Sequence, residues 1–384
     1  MARRTIIWLT KRRYMGKDLL ADRYGRYFEI PVRLADHDDI QMFALDYRPT
    51  PIVREQIRDG FAIASFGIHQ AHRFIASVRL AIRRAPDALI VAGSDAPYCI
   101  MARHLAASAR RLYAIDLYDD YETFSSAKIP FVNGEFRKSL LGAATVVSFE
   151  QAYADALWRR HAVDGLKVAP NGVDAKLFRQ IAKTDARRSI GLPEGGLQIG
   201  YFGAIDSNRT FDDILRAFAL LRRDQPAASL LLAGPTDNSF AHDAPGIRYF
   251  GQVSQEHVVR LVNACDVAVA TVRKDSSAAI CFPTKLMEYI ACRRPFVTPD
   301  IGGASTFLQH FPEYRYTLGD AAGLADRILA NAAKPDPRLP PLYTWDDAAA
   351  DFAQAIGRTV DPSHVRRKTV DIESASTAND RSAA

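Results

Sequence analysis

Short apolar, β-branched runs alternate with stretches of helical periodicity from one end of the chain to the other. In the first half the strand-like runs are Thr5–Leu9, Phe61–Phe66, Ala88–Ala92, Leu112–Asp116, Thr145–Ser148 and Lys167–Ala169. Helical spacing covers His69–Arg84 and Pro97–Ala109, and Ser148 with Gln151 three residues on reads as a capping box. After Pro193-Glu194-Gly195-Gly196 the pattern restarts. Strands are expected at Ile199–Gly203, Ser229–Ala233, Arg248–Phe250, Asp266–Thr271 and Phe296–Pro299, with helices at Phe211–Arg223 and Glu256–Asn263. Strands alternating with helices predict an α/β protein whose parallel sheets are covered on both faces.

At 384 residues the chain exceeds what one hydrophobic core usually serves. Two Rossmann-like, doubly wound domains are expected, at 1–170 and 171–344, facing one another across a cleft. A helix at Trp345–Ile356, within a segment 345–360, is expected to pack on either domain, crossing back to the first in one alternative. The segment 361–384 is polar with little to bury, and is expected to be disordered.

Composition narrows the function classes. The 48% hydrophobic content is that of a soluble globular protein, and no apolar run approaches a membrane span. The start of the chain has basic residues and a short apolar run, but Lys11-Arg12-Arg13 ends that run too early for a secretory signal, so it is read as a first strand, and a cytoplasmic protein is expected. Cys99, Cys265, Cys281 and Cys292 lack metal-ligand spacing and read as reduced thiols. The net charge of +6 suits an anionic partner. Arg73, Arg79, Arg83 and Arg84 crowd the 71–84 helix, beside Phe74, Ile75, Val78 and Ile82. That face is either simply solvated or a peripheral contact for an anionic membrane. With no recognition module in the chain, nucleic acid is not expected as a partner.

The richest stretch chemically is Phe282-Pro283-Thr284-Lys285-Leu286-Met287-Glu288-Tyr289. Pro283 fits the first helical position, which leaves the Thr284 and Lys285 amides at the positive end of a helix, an anion site. Glu288 lies one turn on, about 6 Å along the axis. Phosphate at the tip and ribose one turn deeper would suit a nucleoside diphosphate; an ordinary surface helix with a Lys/Glu pair is the alternative.

Around this stretch other features fall in order. They are Pro170-Asn171-Gly172-Val173-Asp174, Gly200-Tyr201-Phe202-Gly203, Leu231-Leu232-Ala233-Gly234, Phe250-Gly251-Gln252-Val253 and Ala264-Cys265-Asp266-Val267. Over residues 145–305 the chain resembles the retaining GT-B glycosyltransferases of group 1, or GT4. The resemblance implies a C-terminal domain that binds a nucleotide sugar and an N-terminal domain that holds the acceptor. It implies that Glu288 binds the ribose, that Thr284 and Lys285 hold the diphosphate, and that Arg209 stands in for a phosphate-binding lysine. It also implies that Phe250 to Val253 line the base, with Gly203, Pro283 and Phe282 in the donor site. Gly16 occupies a loop where the family often has two glycines, and Asp116 the approximate place of a histidine near the reacting sugar. An acidic loop at Asp116 could orient an acceptor hydroxyl or simply cap a helix. Lys285, Arg209 and Asp116 are thus the catalytic candidates.

Three positions depart from the family pattern. Ile280 replaces a second glutamate, Ala204 an arginine, and Arg293 a glycine after the donor helix. The last implies a different cap or backbone strain. Asp36-His37-Asp38 matches a metal motif of another fold by chance and is read as a loop; no metal and no cofactor beyond the nucleotide-sugar co-substrate is expected. The resulting expectation is a retaining transferase that moves sugar from a UDP- or GDP-sugar to a carbohydrate or lipid-linked acceptor in polysaccharide or glycolipid synthesis. The alternatives are a nucleotide-sugar epimerase or a nucleotide-sugar-binding protein without catalysis.

Overall fold

The computed structural model describes residues 3–14, 16–237, 244–274, 276–280, 282–334 and 336–357. The expected disorder of 361–384 lies outside them. The chain forms two compact units. One comprises residues up to Ser148, Val163–Ala169 and those from Asp346 on; the other comprises Phe149–Ala162 and Pro170–Trp345.

The strands of the first unit are β1 (Arg4–Lys11), β2 (Arg13–Tyr14), β3 (Lys17–Asp18), β4 (Asp38–Asp46), β5 (Val53–Arg58), β6 (Phe61–Gly67), β7 (Leu89–Gly93), β8 (Tyr113–Leu117), β9 (Thr145–Ser148) and β10 (Lys167–Val168). Eight form one sheet in the order β10-β9-β8-β7-β1-β4-β6-β5, and β2 pairs with β3 in a separate hairpin. All neighbours in the large sheet are parallel except β5, which runs antiparallel to β6 around Asp59-Gly60. Gly60 takes φ +75°, as an Asp-Gly hairpin turn requires. Phe352, on the helix Trp345–Ala355, stacks on Trp8 at 5.2 Å. The Ile356 carbonyl accepts from Arg4, so the last helix is part of this unit.

The second unit contains β11 (Gln198–Phe202), β12 (Ser229–Ala233), β13 (Ile247–Tyr249), β14 (Val267–Val269), β15 (Phe296–Pro299) and β16 (Arg315–Tyr316). They make a parallel sheet in the order β13-β12-β11-β14-β15-β16. The period-two rule splits each strand between two buried faces. Leu231, Ala233, Ala268 and Ala270 join one core with the helix Lys285–Ala291. Leu230, Leu232, Val267 and Val269 join the other, with the helix Phe211–Asp224. Because both faces are buried, these strands read as continuous apolar runs.

Several expectations are corrected. Ser148 ends β9 instead of opening the helix; the helix Gln151–His161 has Glu150 as its N-cap, whose carboxylate accepts the Gln151 amide at 3.1 Å. Asp38 of the presumed loop is the first residue of β4 and fully buried, while Asp36 pairs with Arg58. No group of three metal-ligating side chains occurs among the described residues. Nor is any described helix long and apolar enough to cross a membrane. In the helix Ala71–Arg84, Phe74, Val78 and Ile82 are buried in the unit's core, so this face is not free to enter a bilayer; the four arginines lie exposed on the outside.

The end of the helix Lys285–Ala291 explains Arg293. The Arg294 amide donates to the Tyr289 carbonyl and the Arg293 amide to Ile290, both at 2.9 Å, which is a Schellman cap. Its left-handed position is filled by Arg293 at φ +52° instead of glycine. A side chain there costs about 1–2 kcal/mol, partly offset by the greater freedom glycine has when unfolded. The exposed Arg293–Asp336 pair adds little in return. Arg293→Gly is therefore expected to stabilise the protein by about 0.5–1 kcal/mol in urea unfolding; a loss of stability would show that the cap is unstrained.

Candidate functional site

In the second unit the winding reverses between β11 and β14, because the chain builds β12 and β13 on one side and β15 and β16 on the other. At such a switch the loops leaving adjacent strands diverge and open a crevice at their carboxyl ends. The loop after β11 carries Arg209 and the loop after β14 carries Arg273 and Lys274. Backbone bonds zip the two loops together, Thr210 to Val272 at 3.0 Å and Lys274 to Asn208 at 2.7 Å. Below them the Tyr201 hydroxyl donates to the Ala204 carbonyl at 2.6 Å and meets Thr271 Oγ1 at 3.0 Å.

Lys285 reaches into this place across Gly203. A β-carbon on Gly203 would lie 2.3 Å from Lys285 Cε and 2.6 Å from Nζ, so only glycine lets the ammonium cross the strand end. Gly203 is itself pressed by Gly234, whose missing β-carbon would sit 2.0 Å from the Gly203 carbonyl oxygen. The Gly234 amide in turn donates to the Gly251 carbonyl at 2.8 Å. Three strand ends are thus floored by backbone alone.

Lys285 and Glu288 are half-buried, and neither makes a side-chain hydrogen bond or an ion pair among the described residues. Burial lowers the Lys285 pKa; Glu288 opposes that effect and the nearby Arg209 adds to it. Burial raises the Glu288 carboxyl to about 7, against the pull of Lys285. Among the described residues Arg209 pairs with Asp206 at 3.5 Å, and its buried Nε makes no hydrogen bond. Two cations repel here, and an anion between them would relieve that repulsion. Lys274 contributes less, since Asp212 holds its ammonium at 3.0 Å.

The helix start differs from the expected form. The helix begins at Lys285 with Thr284 as its N-cap, so Pro283 stands one place outside instead of at the first helical position. The Leu286 amide donates to the Pro283 carbonyl at 3.0 Å, a tighter three-residue turn that draws the proline out of the α-helix proper. Thr284 is exposed. Phe250, Val253 and Phe282 are half-buried and pack on the same core as Leu286 and Tyr289, with Phe282 edge-on to Phe307 at 5.2 Å. The second unit therefore brings Gly203, Arg209, Lys285 and Glu288 together, with these three at the margins of their core.

The two candidates of the first unit have structural explanations. Gly16 turns the β2–β3 hairpin at φ +74° with open space around it, so no close approach demands glycine there. Asp116 is fully buried, held by Arg26 at 2.7 Å, while Arg26 also donates to the Ala169 carbonyl. Burial pushes the Asp116 carboxyl upward against the pull of Arg26. A sealed ion pair has no face on which to orient an acceptor, and burial on both sides of β8 is what the acidic residue at a strand end had concealed. Sequence reasoning passed over Tyr201 and Gly234, although both stand in the strand-end patterns it quoted.

Residues 196–333 match the family described as Glycosyl transferases group 1. A D-inositol 3-phosphate glycosyltransferase of Stackebrandtia nassauensis is 25% identical over 228 residues, covering 51% of this chain and 49% of that protein. One from Jonesia denitrificans is 27% identical over 250 residues, covering 56% and 57%. The chain spans about half the length of the curated relatives it matches. Among solved structures, Anabaena Alr3699/HepE in complex with UDP superposes with a TM-score of 0.63 at 19% identity, covering 97% of this chain and all (100%) of that one. Sucrose-phosphate synthase from Thermosynechococcus elongatus gives 0.58 at 14% identity, covering 98% and 100%. These likenesses establish the fold.

The Lys285–Glu288 coupling is directly measurable. In the free protein the Glu288 carboxyl carbon is expected to titrate near 7 by carbon NMR. Lys285→Met should move that midpoint higher, because the cation that opposes protonation is gone. A midpoint in the ordinary glutamate range would contradict the desolvated geometry.

Proposed function

We propose, from the premise that this chain belongs to the group 1 (GT4-type) glycosyltransferases and has the GT-B fold, that it transfers sugar from a UDP- or GDP-sugar to a carbohydrate or lipid-linked acceptor. The observation that carries the reading is the half-buried Lys285–Glu288 pair, oppositely charged and without direct partners, set across Gly203 at the β11/β14 switch. Lys285 and Arg209 would hold the diphosphate, and Glu288 would accept from the ribose hydroxyls. As the sugar departs, negative charge grows on the diphosphate. Cations already fixed in a partly desolvated place stabilise that charge without first reorganising. The acceptor hydroxyl then attacks the anomeric carbon from the face the diphosphate leaves and gives its proton to that diphosphate, with retention of configuration. Two side-chain cations supply the countercharge, so no metal and no cofactor is required. The setting we infer is polysaccharide or glycolipid assembly in the cytoplasm.

UDP as the donor nucleotide is supported by the UDP and UDP-glucose named with HepE. A second reading, nucleotide-sugar binding without transfer, is favoured by Ile280 and Ala204, which put apolar side chains where the family commonly has polar ones. Release of free nucleotide from a panel of UDP- and GDP-sugars in EDTA separates the two. Turnover supports the transferase, and binding without turnover supports the second reading. For UDP-glucose, Glu288→Ala is expected to cost about 1–3 kcal/mol, roughly five- to hundredfold in Kd by calorimetry. Ribose hydroxyls favour the ionised carboxylate, so wild-type affinity should rise as pH passes upward through about 7, and Glu288→Gln should flatten that rise. Unchanged affinity in both variants would sink the assignment.

Any membrane contact we infer to be electrostatic, through the exposed Arg73, Arg79, Arg83 and Arg84. Pelleting with anionic vesicles at low salt, lost at about 0.5 M salt, is the expected behaviour; no pelleting at either salt removes this contact.

A further inference from the structure

A cavity of about 330 Å³ lies in the second unit, at the far end of the helix that carries Lys285 and Glu288. One wall is the helix end, Ile290 and Ala291; the other is Pro337, Leu339, Pro340 and Leu342. Arg293 completes the lining as its one charged residue. Ile290 follows Lys285 by five residues, which places it about 8 Å along the axis and turned by about 140°. The cavity therefore belongs to a different face of the helix from Lys285.

The outer wall is anchored. Pro337, Pro340 and Pro341 restrict φ along it. The Tyr314 hydroxyl donates to the Arg338 carbonyl at 2.7 Å, and the Arg338 guanidinium lies 4.8 Å from the ring centre of Phe311. Further on, the Val173 amide donates to the Tyr343 carbonyl at 3.2 Å. Leu339 and Leu342 pack on the core that holds Ile290. Fixed at both ends, this wall does not collapse onto the helix. The volume is that of a small-molecule site, with room for about ten waters at ~30 Å³ each. Apolar walls offer those waters few partners, so an apolar body displaces them at a gain.

Arg293 adds a charge to the apolar space. It occupies the left-handed position of the helix cap at φ +52°, where glycine is unstrained. Its partner Asp336 is 3.3 Å away and 88% exposed, so the pair returns little of that cost. A strained side chain with no structural return is the kind of outlier found at ligand clamps. Helix carboxyl ends repel anions, but here backbone amides already cap the Tyr289 and Ile290 carbonyls. The charge at the cavity is that of the guanidinium, whose paired N–H groups suit a carboxylate or a phosphate. We propose that the cavity binds a small apolar acid, its hydrocarbon or aromatic body between the helix end and the proline-rich wall and its anionic head on Arg293. The site goes beyond the transferase reading and does not rest on it.

NMR titration of the full chain, with isoleucine and leucine methyls labelled, tests it. The acids are phenylacetate and hexanoate, with hexyl phosphate as the other head group. Hexanamide is the neutral arm, and acetate the head alone. At least one acid is expected to bind with a Kd of about 1 mM or tighter, as about ten non-hydrogen atoms allow, and to shift the Ile290, Leu339 and Leu342 methyls first. Arg293→Gly keeps the cap and should weaken the acid about fivefold or more. Leu339→Asn, checked for native unfolding, should weaken it too, whereas Lys285→Met should leave it unchanged. The proposal is overturned if no acid binds by about 10 mM, or if the shifts centre on other methyls. It is equally overturned if hexanamide or acetate binds as tightly as the acids, or if Arg293→Gly binds as wild type. Loss of acid binding in Lys285→Met would place the acid in the donor crevice and overturn it as well.

Discussion

The close approach of Lys285 to the end of β11 is the constraint on which the second unit's chemistry rests. A long side chain lies where the β-carbon of residue 203 would be, and residue 203 in turn lies where the β-carbon of residue 234 would be. Removing side chains from successive strand ends brings a cation down to the floor of the crevice, where water is scarce and its charge acts at greater strength. Any side chain at 203 would lift the ammonium away from Glu288 and Arg209. The surrounding elements follow from that need. The zipped loops after β11 and β14 place Arg209, and the tight turn at Pro283 starts the helix that carries both charged residues.

The two units use buried charge in opposite ways. Arg26 and Asp116 face one another at 2.7 Å almost wholly buried, beneath a tyrosine cluster that bonds to the Asp116 backbone carbonyl. Breaking such a pair leaves an uncompensated buried charge, so it resists change. Lys285 and Glu288 are displaced from ordinary titration by burial, yet no direct bond between them satisfies either one. A structural pair closes on itself, and a pair kept for a ligand stays open.

Much of this was legible in the sequence, and the misses have physical causes. Apolar runs such as Ser229–Ala233 and Phe296–Pro299 match their strands to the residue, since burial on both faces leaves no ambiguity of period. Asp38–Asp46 escaped because its charged entrance, Asp38 and Asp39, resembled a loop, although the carboxylate of Asp38 is buried. Asp59-Gly60 marks the turn into β6, but the alternation of β5, which is half exposed, is too polar to stand out. In the site, Lys285 and Glu288 were readable from local spacing, because one helix carries both. Asp116 was not, because its partner Arg26 is 90 residues away and nothing local announces a buried pair.

The central claim is that the open Lys285–Glu288 pair is held for a nucleotide sugar. A crystal structure of the full chain soaked with UDP-glucose tests it most directly. The account predicts diphosphate oxygens within about 3 Å of Lys285 Nζ and ribose hydroxyls at similar range from the Glu288 carboxylate. Nucleotide bound elsewhere, or Lys285 and Glu288 closed on each other with the ligand outside, would contradict it.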